Sequence, residues 1–218
     1  MTSKITFVDE SVAVYVASHT TAPSGIEQRL IDETQSLPYA GMQIGFPQAR
    51  FMAQLARLLD PTTVIEVGVF TGYSALVVAQ ELREDAKLIA CDVSEEWTSV
   101  GRPFWEEAGV ANRIDLRIAP ASQTLAALPE GMMFDLAFID ADKTGYLGYL
   151  EQLIPRMHER SVVLVDNVLW NGSVVDDSDQ SDDTVALREF SAAMMQDARV
   201  DVALLPIGDG LSMITLAR

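Results

Sequence analysis

The chain holds one cysteine, Cys91, among 218 residues. No internal disulfide is possible, and a chain this long buries a core without one. That suits a reducing compartment, so a cytoplasmic location is expected. It has no long uncharged apolar run and no basic-then-apolar leader. Neither a membrane span nor a secretory signal is therefore expected. Basic residues are scarce: 15 Lys and Arg face 32 Asp and Glu, for a net charge of -17. Nucleic-acid binding relies on a basic footprint, so no nucleic-acid partner is expected. A small substrate, a cationic ligand or a metal ion fits better, although solubility alone also accounts for such a charge. Repeats and linkers rich in Pro, Gly or Ser are missing too. One domain over residues 1–218 is the economical reading.

The pattern that is present changes near residue 60. Residues 1–60 carry helical patterns only: Ser11–Thr20, Ser24–Leu37 and Pro47–Leu59, the last with proline at its start. Residues 61–218 alternate. Strands are expected at Thr63–Gly68, Lys87–Asp92, Ile114–Ala119, Phe134–Asp140 and Ser161–Asn167. Helices are expected at Gly72–Arg83, Ser94–Gly109 with a break at Pro103, Ala121–Leu128, Thr144–Met157 and Asp183–Gln196. Two last strands, Arg199–Ile207 and Leu211–Ala217, flank a "GDG" hairpin turn. Alternation of this kind, with continuous apolar strands, implies an α/β fold: a mostly parallel sheet with helices on both faces and a C-terminal antiparallel hairpin.

In such a sheet, ligands bind beyond the carboxyl ends of the strands. Those ends carry Glu66 to Gly72, then Asp92, then Ala119 to Ser122, then "FIDADK" with Asp140, Asp142 and Lys143, then Asp166 and Asn167. The glycine loop reads E-x-G-x-x-x-G. It is neither the dinucleotide G-x-G-x-x-G nor a P-loop. Glu66 would repel a pyrophosphate but suits an amine-bearing or cationic ligand. Asp92 stands where a carboxylate grips ribose hydroxyls. A nucleoside with an amine, a positive centre and no phosphate describes S-adenosylmethionine; an ordinary tight turn would use the same glycines. If the strands ending at Asp140 and Asp166 are neighbours, Asp140, Asp166 and Asn167 offer three hard oxygens. These suit Mg²⁺, Mn²⁺ or Ca²⁺ rather than zinc, while helix capping is the plainer role for Asp166-Asn167.

Three motifs in order, "VIEVGVFTGYSAL", "FIDADK" and "DNVLWNG", resemble the cation-dependent O-methyltransferases of the caffeoyl-CoA and catechol type. The likeness runs from about Met42 to the C-terminus. It implies a Rossmann-like, seven-stranded methyltransferase fold, S-adenosylmethionine as donor, and a divalent cation, Mg²⁺ before Mn²⁺ or Ca²⁺, that holds a vicinal diol. It implies a small aromatic diol as substrate and a homodimer. By resemblance the metal ligands are Asp140, Asp166 and Asn167, and the catalytic base is Lys143. The donor site is Glu66, Gly68, Val69, Ser74, Asp92, Ala121 and Asp142, with Met42 and Ile44 over the methionine end. Asn171 matches a substrate-contacting asparagine, and Trp170 is placed to wall an aromatic ring. Relatives often read "SPEQGQ" where this chain has Gly45-Phe46-Pro47-Gln48-Ala49-Arg50, which bears on the entrance and not on the chemistry. A tRNA-modifying enzyme of the same fold and a non-catalytic donor-binding protein are the alternatives. The acidic charge opposes the first, and the intact Asp140, Lys143, Asp166 and Asn167 set opposes the second. His19 and His158 are isolated and Cys91 reads as packing. Trp97 and Trp105 read as core or dimer surface. The acidic loop from Asp176 to Asp183 reads as solvated and mobile, with a substrate lid as runner-up.

Overall fold

The structure is a computed structural model that describes residues 9–218. The expectations that fall on residues 1–8, the missing leader and the start of the helical region, lie outside the described residues. Seven strands form one sheet: β1 (Thr63–Val67), β2 (Lys87–Asp92), β3 (Ile114–Ile118), β4 (Phe134–Ile139), β5 (Met157–Val165), β6 (Val200–Leu205) and β7 (Leu211–Leu216). Their order is β3-β2-β1-β4-β5-β7-β6. The first five are parallel, and β7 runs antiparallel to both β5 and β6. The chain winds outward from β1 to β3, then returns beside β1 with β4. The order therefore reverses between β1 and β4, which opens a crevice at their carboxyl ends.

Side chains alternate across the sheet with a period of two. Val64, Leu88, Leu136 and Phe138 face one core with Leu30, Met52, Leu76 and Trp105. Those come from α2 (Gly25–Gln35), α3 (Phe46–Leu59), α4 (Tyr73–Gln80) and α5 (Glu95–Glu107). Ile65, Val67, Ala137 and Ile139 face the other core with Leu125, Leu150, Leu187 and Phe190. Those come from α6 (Ala121–Ala126), α7 (Tyr146–Leu153) and α8 (Asp182–Gln196). The first described helix, α1 (Glu10–Ser18), buries none of its residues. No described helix is long and apolar enough to cross a membrane.

Local signals explain most element ends. Ser24 and Glu27 form a capping box at α2, Pro47 opens α3, and Ser94 Oγ accepts from Trp97 N at α5. Three expectations are corrected. α5 runs unbroken through Pro103. Its far turn is pinned by tertiary contact, since Trp105 Nε1 donates to Gly72 O at 3.0 Å, which offsets the hydrogen bond the proline removes. α7 stops at Leu153, and Pro155 sits in a 3₁₀ turn, Ile154–Arg156. β5 starts at Met157, not Ser161, because Met157 pairs with Phe134 across a register shift.

Candidate functional site

β1 delivers Gly68 into the crevice at φ +92°, and a Cβ there would lie 1.9 Å from Asp140 O. Only glycine lets the ends of β1 and β4 press this close. Asp92, at the end of β2, turns its carboxylate onto the glycine loop. Val69 N and Phe70 N each donate to its Oδ2 at 2.9 Å, and Ser94 N donates to Oδ1 at 2.8 Å. Asp92 thus shapes the loop as well as facing the crevice. Glu66 lies beneath the loop, 2% exposed, and Ser74 Oγ donates to it. Burial pushes its carboxyl up to about 8, Asp140 and Asp92 push the same way, and Ser74 opposes them. A cationic ligand would draw it toward the carboxylate.

The ends of β4 and β5 lie side by side: Asp140 N donates to Val67 O at 2.7 Å, and Asp166 N to Ile139 O at 2.9 Å. Lys143 reaches between them. Its Nζ donates to Asp140 Oδ1 at 3.1 Å, Tyr146 OH at 2.7 Å and Asn167 Oδ1 at 2.6 Å. Tyr146 OH passes a bond on to Asp166 O at 3.1 Å. Asp166 is 2% exposed. Its Oδ2 accepts from Gln48 Nε2 and its Oδ1 from Asn167 N, both at 2.7 Å. Asp142 accepts from Tyr149 OH at 2.5 Å. Burial pushes the Asp140 carboxyl up, against the pull of Lys143. Burial also raises Asp166, and the nearby charge of Asp140 adds to it.

This donor set fits a hard divalent cation. The part-buried Asp140 and the amide oxygen of Asn167 line one end of the crevice and the buried Asp166 stands behind Asn167, with a single ammonium between Asp140 and Asn167. A second positive charge would relieve the strain on both acids. Among the described residues no three His, Cys, Asp or Glu side chains cluster for a metal, so a three-ligand set at this place would need the amide of Asn167.

One cleft of about 1090 Å³ gathers these groups. Met42, Ile44, Gly68, Val69, Ser74, Asp92, Ala121, Asp140, Asp142, Lys143, Asn167, Trp170 and Asn171 all line it. Glu66 and Asp166 do not; they stand behind Ser74 and Asn167. Six described non-glycine residues have left-handed backbone, and four of them, Phe70, Asn167, Trp170 and Asn171, line this cleft. Strain held in place at one wall is a mark of a working site.

Several wall groups escape a reading by strand ends. Gln48 sits on α3, 118 residues from the Asp166 it binds. Tyr146 and Tyr149 recur three apart in "TGYLGYL", a helical spacing that follows Lys143 directly. Trp97 is not core: it lines the cleft, 5.5 Å from the Phe70 ring. Trp105 is core. The acidic loop is tied down. Arg188 donates to the carbonyls of Ser173, Val174, Asp176 and Asp179, and Asp183 reaches the cleft.

A sequence profile of the O-methyltransferase family matches residues 17–218. The chain belongs to that family. It is 37% identical over 183 residues to catechol O-methyltransferase domain-containing protein 1 of Mus musculus, spanning 83% of this chain and 70% of that protein. It is 36% identical over 196 residues to caffeoyl-CoA O-methyltransferase of Mesembryanthemum crystallinum, spanning 85% of this chain and 77% of that one. Its fold is similar to the S-adenosylhomocysteine-bound methyltransferase PaMTH1 of Podospora anserina, with TM-score 0.89, 28% identity and full coverage of both chains. This O-methyltransferase uses S-adenosylmethionine and acts on a small molecule. The resemblance read from its three motifs stands.

Proposed function

We propose that this O-methyltransferase methylates one hydroxyl of a vicinal aromatic diol, with a divalent cation, Mg²⁺ before Mn²⁺ or Ca²⁺, held by Asp140, Asp166 and Asn167. The observation that carries the reading is that Asp140 and Asn167 meet at Lys143, with Asp166 bonded to the backbone of Asn167 behind them and the ring of Trp170 5.4 Å from Nζ. Similarity to enzymes named for caffeoyl-CoA and catechol supports the substrate class.

The chemistry needs an oxyanion held in line with an activated methyl. S-adenosylmethionine supplies that methyl on a sulfonium. A cation bound to both hydroxyls would lower the pKa of the attacking one and fix its position. The chain's residues do the rest. Asp92 faces the ribose hydroxyls, Ala121 and Asp142 the nucleoside, and Met42 and Ile44 cover the methionine end. Lys143 first gives up a proton to water, then turns as the neutral amine from Asp140 and Asn167 to the substrate hydroxyl and accepts its proton. Trp170 and Asn171 orient the ring.

Methyl transfer to a catechol and to the matching monophenol tests the substrate class. The monophenol has one oxygen and is free to swing, so its rate should fall roughly 100-fold, the scale on which misplacement slows a reaction. Equal rates on both would remove the diol from the reading.

A further inference from the structure

Lys143 has three side-chain partners among the described residues, and one of them can stay with it through the reaction. Asp140 and Asn167 are ligands of the cation proposed above. The third partner is Tyr146 OH, 2.7 Å from Nζ. Tyr146 is the first residue of α7 and follows Lys143 by three positions across a 3₁₀ turn, Lys143–Gly145. That spacing puts both side chains on one face. The Tyr146 ring is fully buried, and the Phe190 ring meets it edge-on at 5.8 Å. Its hydroxyl is therefore a fixed point beside a long, flexible lysine.

The direction of its hydrogen bonds is forced. A phenol has one hydrogen. A backbone carbonyl can only accept, so the 3.1 Å bond to Asp166 O takes that hydrogen. Toward Nζ the oxygen has only lone pairs left. It can take an N–H of the lysine, and it cannot cover the lone pair of the neutral amine.

We propose that Tyr146 is a positioning residue for the proton step: it anchors one N–H of Lys143 and leaves the amine's lone pair turned to the acceptor hydroxyl. The inference rests on the base role given to Lys143 above. In that step the O–H bond of the acceptor breaks and its proton joins the Nζ lone pair. The oxygen keeps the electron pair and forms its bond to the methyl with it. The carbon–sulfur bond of the donor breaks toward sulfur, and S-adenosylhomocysteine leaves. A hydroxyl free to turn its hydrogen to Nζ would occupy the lone pair that the proton needs. The Asp166 carbonyl prevents that.

The test compares catechol methylation with Mg²⁺ present in the parent, Tyr146→Phe, Lys143→Ala and the double variant. Tyr146→Phe keeps the ring and removes the hydroxyl. It should lower kcat about 10–100-fold, up to the scale on which misplacement slows a reaction. The catechol KM and the calorimetric affinity for S-adenosylhomocysteine should stay within about threefold, since no bond to either is lost. Added to Lys143→Ala, the same substitution should cost no more than about twofold, because the amine it positions is gone. Equal losses in both backgrounds would give Tyr146 a role in the fold through Asp166 O and overturn the proposal. So would a Tyr146→Phe protein with the parent's kcat, or one that no longer binds S-adenosylhomocysteine. The parent tests the geometry without a substitution. In a crystal of its complex with S-adenosylhomocysteine, Mg²⁺ and catechol, Nζ should lie within about 3.2 Å of Tyr146 OH. A separation beyond about 3.6 Å overturns the proposal. Should Lys143→Ala itself keep the parent's rate, the base role fails and this proposal falls with it, whereas a failure at Tyr146 alone leaves the base role standing.

Discussion

Lys143→Ala is expected to slow methyl transfer by ~10²–10⁴-fold, the range a general base contributes. Affinity for S-adenosylhomocysteine should change by less than about threefold, because the side chain bonds only to Asp140, Tyr146 and Asn167 and touches neither Asp92 nor the glycine loop. Lys143→Arg separates charge from basicity. It keeps a cation at the rim but cannot give up its proton, so it should be nearly as slow as alanine. Single-turnover transfer from labelled donor reads the chemistry, and calorimetry reads the binding. An alanine variant within a few-fold of the parent across pH 7 to 9 would take the proton step away from Lys143.

Glu66 sets a second large effect, this time on stability. Its carboxyl is raised to about 8 in the fold from an ordinary 4.5, first by burial and then by Asp140 and Asp92. Between those values the folded chain holds a proton that the unfolded chain has lost. Stability therefore falls as pH rises through the window and levels off above about 8. Each unit is worth about 1.4 kcal/mol, so the whole window amounts to several kcal/mol, on the order of 5. Glu66→Gln removes the titration while keeping a hydrogen-bonding side chain beside Ser74. Ligand-free Glu66→Gln should match the parent near pH 5 and become progressively more stable than it toward pH 9. Denaturant unfolding at a series of pH values measures this, and parallel curves for the two proteins would rule out a buried titrating Glu66.

Much of the site is legible from the chain because parallel strands bury both faces. Against runs such as Leu136 to Ile139, a carboxylate at Asp140 can only be a rim group. Asp92, Asp166 and Asn167 stand out for the same reason. The fold class follows from the alternation itself, while the neighbour relation of β1 and β4, which opens the cleft, is a property of topology. What stays hidden acts across long separations or against a local rule. Gln48 reads as one more polar helix residue until α3 packs against β4 and brings it to Asp166. Pro103 signals a break that Trp105, locked on Gly72, overrides. Met157 reads as the end of a helix and His158 to Arg160 as a polar connection, yet they lengthen β5, because Ser161 Oγ donates to Phe134 O at 2.6 Å and draws the segment along β4.

The central claim is that Asp140, Asp166 and Asn167 hold a cation on which transfer to a diol depends. The most direct measurement is catechol methylation by chelator-treated protein, with Mg²⁺ or Mn²⁺ then added back, in the parent and in Asp166→Ala. Chelation should abolish the parent's activity and either ion should restore it. Asp166→Ala should stay inactive with the ion present while still binding S-adenosylhomocysteine, since Asp166 lies outside the cleft's lining. Full activity of the parent in excess chelator would contradict the account and leave a donor-binding fold whose acceptor chemistry lies elsewhere.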